Sequence, residues 1–336
     1  MSHRDVPTDG SAPGRRPLGL AAAALALAGL LPRPARAAIS GLVVIGRDGW
    51  LFPLWDATSR FDAGALNAAT PVMNEAAATL KAAGIEVVQA VVPAKARLYR
   101  QFLPDDVRLP VDIDKRYPAI LAALRKSGAL VVDLDAPLRA ARAGQPKLPI
   151  YFATDTHWTP AGAELAAAEL AKRMKEGLRL PPAPRPAAAL GAPTTLTNPA
   201  SDLVRFLPAD QRARYPAETY QIRQPQAAGG LLDADDGADV VVVGNSFAQP
   251  KYGFVPLLAA QLDRPVGLAW RPNNYGPWFT LLDYLKSEGF RRRRPRALVW
   301  MHLEFDLQNL PNSSSWGQNA VPPATFLAEV KRAVGG

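Results

Sequence analysis

Near-continuous apolar runs constrain this chain most. DVVVVG (239–244), EVVQAVV (86–92) and RALVWMHL (296–303) lack the alternation of a half-exposed strand, so a strand built from any of them is covered on both faces. ALVVDL (129–134), PVGLAW (265–270) and GLVVIG (41–46) read the same way. Between several of them lie alanine- and leucine-rich segments with helical spacing: NEAAATLKAAG (74–84), YPAILAALRKSG (117–128), AGAELAAAELAKRM (161–174), VPLLAAQL (255–262) and FTLLDYLKSEG (279–289). Buried strands separated by helices predict an α/β protein of three α/β/α layers, flavodoxin-like, around a mainly parallel sheet. With 336 residues, 48% of them hydrophobic, the chain can fill one large domain of this kind.

The flanking and intervening segments read differently. Arg15 and Arg16 precede the apolar stretch LGLAAAALALAGLL (18–31), and Ala35-Arg36-Ala37 then matches a small-x-small cleavage site. Residues 1–37 are therefore read as an export signal, with a partial twin-arginine pattern, and 38–336 as a periplasmic domain. An uncleaved anchor is the alternative. A stretch at about 176–238, rich in proline and alanine, reads as an insertion wrapped on that domain. The chain has no cysteine, which excludes disulfides, thiolate zinc sites and a cysteine nucleophile. Of its three histidines only His157 and His302 follow the signal, too few for a three-histidine zinc site. No glycine-rich nucleotide loop is present, so neither a metal nor a cofactor is expected.

If histidine chemistry occurs, His157 or His302 performs it. His157 stands in TDTHWTPAGAEL (154–165), where Thr159 suits an N-cap and Pro160 the first helical position. The helix then begins after His157 and leaves Asp155 and His157 on the loop before it. Either Asp155 orders a turn and His157 is an ordinary loop residue, or the two are part of a charge relay that needs a nucleophile. The best strand end is DVVVVGNSFAQ, where the apolar run stops at Gly244-Asn245-Ser246. In parallel α/β sheets, sites form beyond the carboxyl ends of strands. Ser246 either caps the following helix or presents its hydroxyl there, with its own amide as an oxyanion donor. A serine needs a base and the base needs a carboxylate, and Ser246, His157 and Asp155 fill those roles.

With these residues in place, the sequence resembles the SGNH-like domain family of the AlgX/AlgJ type. The resemblance rests on GRDGWLF (46–52), VPAKARLYRQFLP (92–104), TDTHWTPAGA (154–163), SDLVRFLP (201–208) and VVVGNSFAQPKYGF (241–254). It implies a periplasmic exopolysaccharide O-acetyltransferase of the alginate kind, with Asp155, His157 and Ser246 as catalytic triad and an acetyl-serine intermediate. Tyr252 matches in position a tyrosine associated with oxyanion binding, and Arg271 an arginine after the next strand. Asn245 replaces the aspartate common in Gly-Asp-Ser blocks. The chain ends without the carbohydrate-binding module of AlgX, so an AlgJ-like architecture is expected. The acetyl donor would arrive from a membrane-bound acyltransferase within a polysaccharide export complex. An O-acetyl esterase and a noncatalytic glycan-binding protein are the other readings.

Further residues invite functional assignments. Trp158 either stacks on a sugar or packs in the core. Lys95, Arg97 and Arg100 either contact an acidic polymer or form a solvated edge. Asn273 and Asn274 are read as turn residues or oxyanion donors, and His302 as a core residue. The run FRRRRPR (290–296) is a solvated loop or a site for anions. Removing 1–37 takes five arginines against two aspartates and leaves about +6 of the formal +9, which favours anionic partners, an anionic polysaccharide or a lipid surface among them. Nucleic acid is not expected of an exported chain without a recognition motif.

Overall fold

The computed structural model describes residues 39–198, 201–226 and 237–335. The export signal read at 1–37 lies outside the described residues. Among them, no helix is long and apolar enough to cross a membrane.

Five of the six apolar runs form one parallel sheet. Strands β4 (Glu86–Val92), β5 (Leu130–Asp133), β8 (Val240–Gly244), β9 (Val266–Trp270) and β10 (Ala297–Leu303) lie in the order β5-β4-β10-β8-β9. The last strand in sequence thus occupies the centre. Successive side chains of a strand point to opposite faces, and the core divides accordingly. Val88, Ala90, Val240, Val242, Val299 and Met301 pack on one side with helices α4 (Pro160–Gly177) and α5 (Phe254–Leu262). Val87, Val91, Val241, Val243 and Leu298 pack on the other with α1 (Ala63–Ala82), α2 (Ile113–Leu124), α6 (Gly276–Lys286) and α7 (Pro323–Gly335). This is the expected three-layer α/β/α arrangement. The remaining long helix, α3 (Asp135–Gly144), and α7 were not read from the sequence, and α1 starts at Ala63 rather than at 74, running through Pro71.

GLVVIG departs from expectation. Its residues form β2 (Val43–Ile45) in a small antiparallel sheet with β1 (Ile39–Ser40) and β3 (Leu51–Pro53). The turn after β2 holds Asp48 and Gly49 at φ 54° and 80°, a left-handed pair that reverses the chain within a few residues. A parallel neighbour would need a crossover of a dozen residues or more. The segment expected as an insertion begins with the end of α4 and continues into an antiparallel pair, β6 (Thr194–Asn198) and β7 (Glu218–Ile222).

Candidate active site

Residues 150–159 form a narrow loop closed by its own backbone. Phe152 N–H donates to His157 O (3.2 Å) and Thr159 N–H to Ile150 O (2.9 Å), so residues 153–156 project from its tip. Thr159 accepts from Gly162 N–H as the N-cap of α4, as its sequence suggested. Gly162 is required for close approach, since a Cβ there would sit 2.2 Å from Ile150 O. Groups from outside the loop hold the tip. Lys95, on the single turn Lys95–Leu98 after β4, donates from Nζ to the carbonyls of Leu51 (2.5 Å), Ala153 (3.0 Å) and Asp155 (2.9 Å). Glu218 of β7 accepts from the Ala153 and Thr154 amides, both at 2.8 Å. Ser201 Oγ accepts from Thr154 Oγ1 at 2.8 Å.

Asp155 is completely buried and fully engaged. Oδ1 accepts from His157 N–H (3.0 Å) and lies 2.6 Å from His157 Nδ1, while Oδ2 accepts from Asn198 Nδ2 and Asp202 N–H, both at 3.2 Å. Burial would raise its pKa, but the hydrogen bond and charge of His157 and the surrounding amides outweigh this and hold the carboxyl below the usual carboxylate range. An ionised carboxylate only accepts, so the imidazole proton sits on Nδ1. Nε2 is then free to accept from Ser246 Oγ–H, 2.7 Å away.

Ser246 stands where β8 ends. Asn245 Oδ1 accepts from Phe247 N–H (3.0 Å), and the Arg271 amide donates to Gly244 O (3.2 Å), fixing the turn from both sides. As first residue of the short helix Ser246–Ala248, Ser246 has an amide without an intrahelical partner. Tyr252 stacks on the imidazole and Phe247 packs against it at a tilt of 52°, each with its ring centre 4.8 Å from that of His157. Beside Thr156 and Phe247 a small, mainly apolar pocket is lined by Trp55, Asp56, Glu304 and Phe305.

The structure thus brings Asp155, His157 and Ser246 into one hydrogen-bonded chain. The other candidates fare differently. Trp158 is fully buried, its indole N–H donating to Phe247 O (3.0 Å), so it offers no face to a sugar. The Tyr252 hydroxyl is buried near the Asp155 carboxylate without a hydrogen bond, and burial together with Asp155 and Asp202 raises its pKa. The Arg271 guanidinium pairs with Asp283 at 2.6 Å, and Asn274 is exposed on the adjoining turn. Lys95 and Arg97 fit neither of their readings. Lys95 holds the loop from below, and Arg97 is buried between Asp135 (2.8 Å) and Glu304 (3.1 Å). Only Arg100 is solvated, paired with Asp114. His302 is a core residue against Gln89, its pKa pushed down to about 3 by burial. The arginines at 291–294 and 296 are exposed.

Asn198, Asp202 and Glu218 escaped sequence reading. All three come from the segment expected as an insertion, and the only sequence hint is that Asp202 lies within SDLVRFLP. Asp155, His157 and Asp202 also place one potential metal-ligand atom each within 4.8 Å of one another. A cation there would compete for Nδ1, the atom that already donates to Asp155.

Comparison with known proteins gives the chain a family. The model of the family described as SGNH hydrolase-like domain, acetyltransferase AlgX, matches residues 43–304. The chain belongs to this family. It is 32% identical over 302 residues to the probable alginate O-acetylase AlgJ of Pseudomonas fluorescens, covering 87% of this chain and 73% of that protein. Among solved structures it is similar to the O-acetyltransferase domain of Pseudomonas putida AlgJ, at TM-score 0.70 and 29% identity, covering 87% of this chain and 99% of that one. Pseudomonas aeruginosa AlgX shares the fold at TM-score 0.63 and 21% identity, with 86% of this chain and 66% of that one covered.

Proposed function

We propose that this chain is a periplasmic O-acetyltransferase that moves acetyl groups onto hydroxyls of an alginate-like exopolysaccharide through an acetyl-Ser246 intermediate. The observation that carries the reading is the pair of contacts on His157, Nδ1 to Asp155 at 2.6 Å and Nε2 to Ser246 at 2.7 Å. His157 Nε2 takes the Ser246 proton as Oγ attacks the acetyl carbonyl of the donor, and returns it to the leaving group as the tetrahedral intermediate collapses. In the second half, Nε2 takes the proton of a sugar hydroxyl whose oxygen attacks the acetyl-serine carbonyl, then returns it to Ser246 Oγ. Asp155 keeps the proton on Nδ1 and stabilises the imidazolium formed in each half. The Ser246 amide, without an intrahelical partner, serves as the oxyanion donor. Tyr252 supports the imidazole by stacking, and Arg271 and Asn274 line the turn beyond β9. Names of relatives supply the alginate assignment, and residues 1–37 support export. A membrane-bound acyltransferase supplies the acetyl group.

The test is mass spectrometry of the protein incubated with an activated acetyl ester and uronate oligosaccharides, for wild type, Ser246→Ala and His157→Ala. Acetylated sugar from wild type alone, with transfer reduced at least about 10³-fold in both variants, supports the reading. Free acetate without acetylated sugar points to an esterase. Equal behaviour of all three proteins removes the catalytic roles of Ser246 and His157, and with no acetyl turnover in any of them leaves the glycan-binding reading.

A further inference from the structure

His157 Nδ1 faces two carboxylates. Asp155 Oδ1 lies at 2.6 Å and Asp202 Oδ2 at 3.7 Å. Asp202 opens the short helix Asp202–Arg205 between β6 and β7, and two hydrogen bonds fix it to the catalytic loop. Its Oδ1 accepts from Thr156 N–H at 2.8 Å, and its own N–H donates to Asp155 Oδ2 at 3.2 Å. It therefore grips the residue between Asp155 and His157 and the far oxygen of Asp155 at once. Its second oxygen is too distant to compete for the Nδ1 proton, yet close enough to act on the imidazole by charge. Its side chain is 23% exposed where that of Asp155 is 1% exposed, so solvent reaches only the second carboxylate.

We propose that Asp202 is a positioning residue of the His157 relay, a second carboxylate that clamps the loop and stabilises the imidazolium formed during transfer. This deepens the acetyltransferase reading and rests on it for its catalytic meaning. The charged and titratable groups facing the imidazole and its carboxylates are Asp155, Asp202, Lys95 below the loop, Glu218 on β7, and the hydroxyls of Tyr220 and Tyr252. With the Lys95 ammonium committed to three carbonyls, the two aspartates are the anions nearest Nδ1. Burial and the neighbouring Asp155 raise the Asp202 carboxyl above its ordinary range, so it ionises after Asp155 as pH rises.

Asp202→Asn keeps an oxygen for the Thr156 amide and removes the charge. The direct readout is the NMR titration of the His157 ring in the full-length protein, which needs no turnover. His302 stays neutral until about pH 3 and leaves that window clear. Loss of the anion disfavours the imidazolium, so the His157 midpoint should fall by about one pH unit. The acid limb of kcat should move with it, and kcat should fall about tenfold while KM changes little. Asp202→Glu should restore part of both. A folded Asp202→Asn protein whose His157 midpoint is unchanged overturns the proposal, even if activity is lost. Failure of the acetyltransferase reading would appear separately, as no acetylated sugar from wild type or as transfer that survives in Ser246→Ala without the proposed intermediate, and would leave the NMR result standing.

Discussion

Lys95 offers a quantitative test of how the loop that carries Asp155 and His157 is held. Its ammonium is 2% exposed and has three main-chain carbonyls as hydrogen-bond partners, two of them on the loop that carries Asp155. Burial lowers its pKa to about 8, opposed by Glu218, Asp155 and Asp202. The native protein thus gives up this proton near pH 8, and the unfolded chain near 10.5. Between those values the unfolded state binds one more proton, so stability rises with pH. Below about pH 8 the cost of burying the charge is present in full, and by 10.5 it is gone. The gap from 8 to 10.5 corresponds to about 3 kcal/mol. Lys95→Met has no such proton. Urea unfolding of both proteins in steps from pH 7 to 10.5 cancels every other titration in the difference. Wild-type stability relative to the variant should climb by about 3 kcal/mol across that range. A flat difference would refute the reasoning, and a falling one would mean that the native site prefers the charged lysine. At neutral pH the variant should also lose kcat more than it raises KM, because the Ala153 and Asp155 carbonyls lose their common anchor.

Two further substitutions probe the same scaffold. Gly162→Ala puts a methyl group 2.2 Å from Ile150 O, which is backbone and cannot rotate away. It should cost about 1–3 kcal/mol in denaturant unfolding and reduce turnover by shifting the loop. Glu304 is completely buried at the end of β10, pairs with Arg97 and Arg116, and accepts from the Ala94 amide. Glu304→Gln leaves two buried cations short of a counter-charge and should cost about 3–5 kcal/mol, read as a lowered midpoint in thermal or urea unfolding.

The sequence determined the local elements and the two ends of the relay. Continuous apolar runs had to become covered strands, Thr159-Pro160 had to open a helix, and a serine at the end of a saturated strand had to emerge at the sheet's carboxyl edge. Each follows from a rule that acts over a few residues. Hydrophobic periodicity reports that a residue is buried but not what it is buried against. It therefore could not place β10 at the centre of the sheet, nor send GLVVIG to a separate antiparallel sheet. The surroundings of the relay were decided by tertiary structure alone. Lys95 and Arg97 look like surface charges until carbonyls and carboxylates far along the chain converge on them, and Trp158, read as either a sugar platform or a core residue, is settled in the core by Phe247 and Phe254 packing against it. Asn198, Asp202 and Glu218 reach Asp155 and its loop only because β6 and β7 fold back beside it. The cost of burying a charge is offset only by partners in space, and a linear pattern does not contain them.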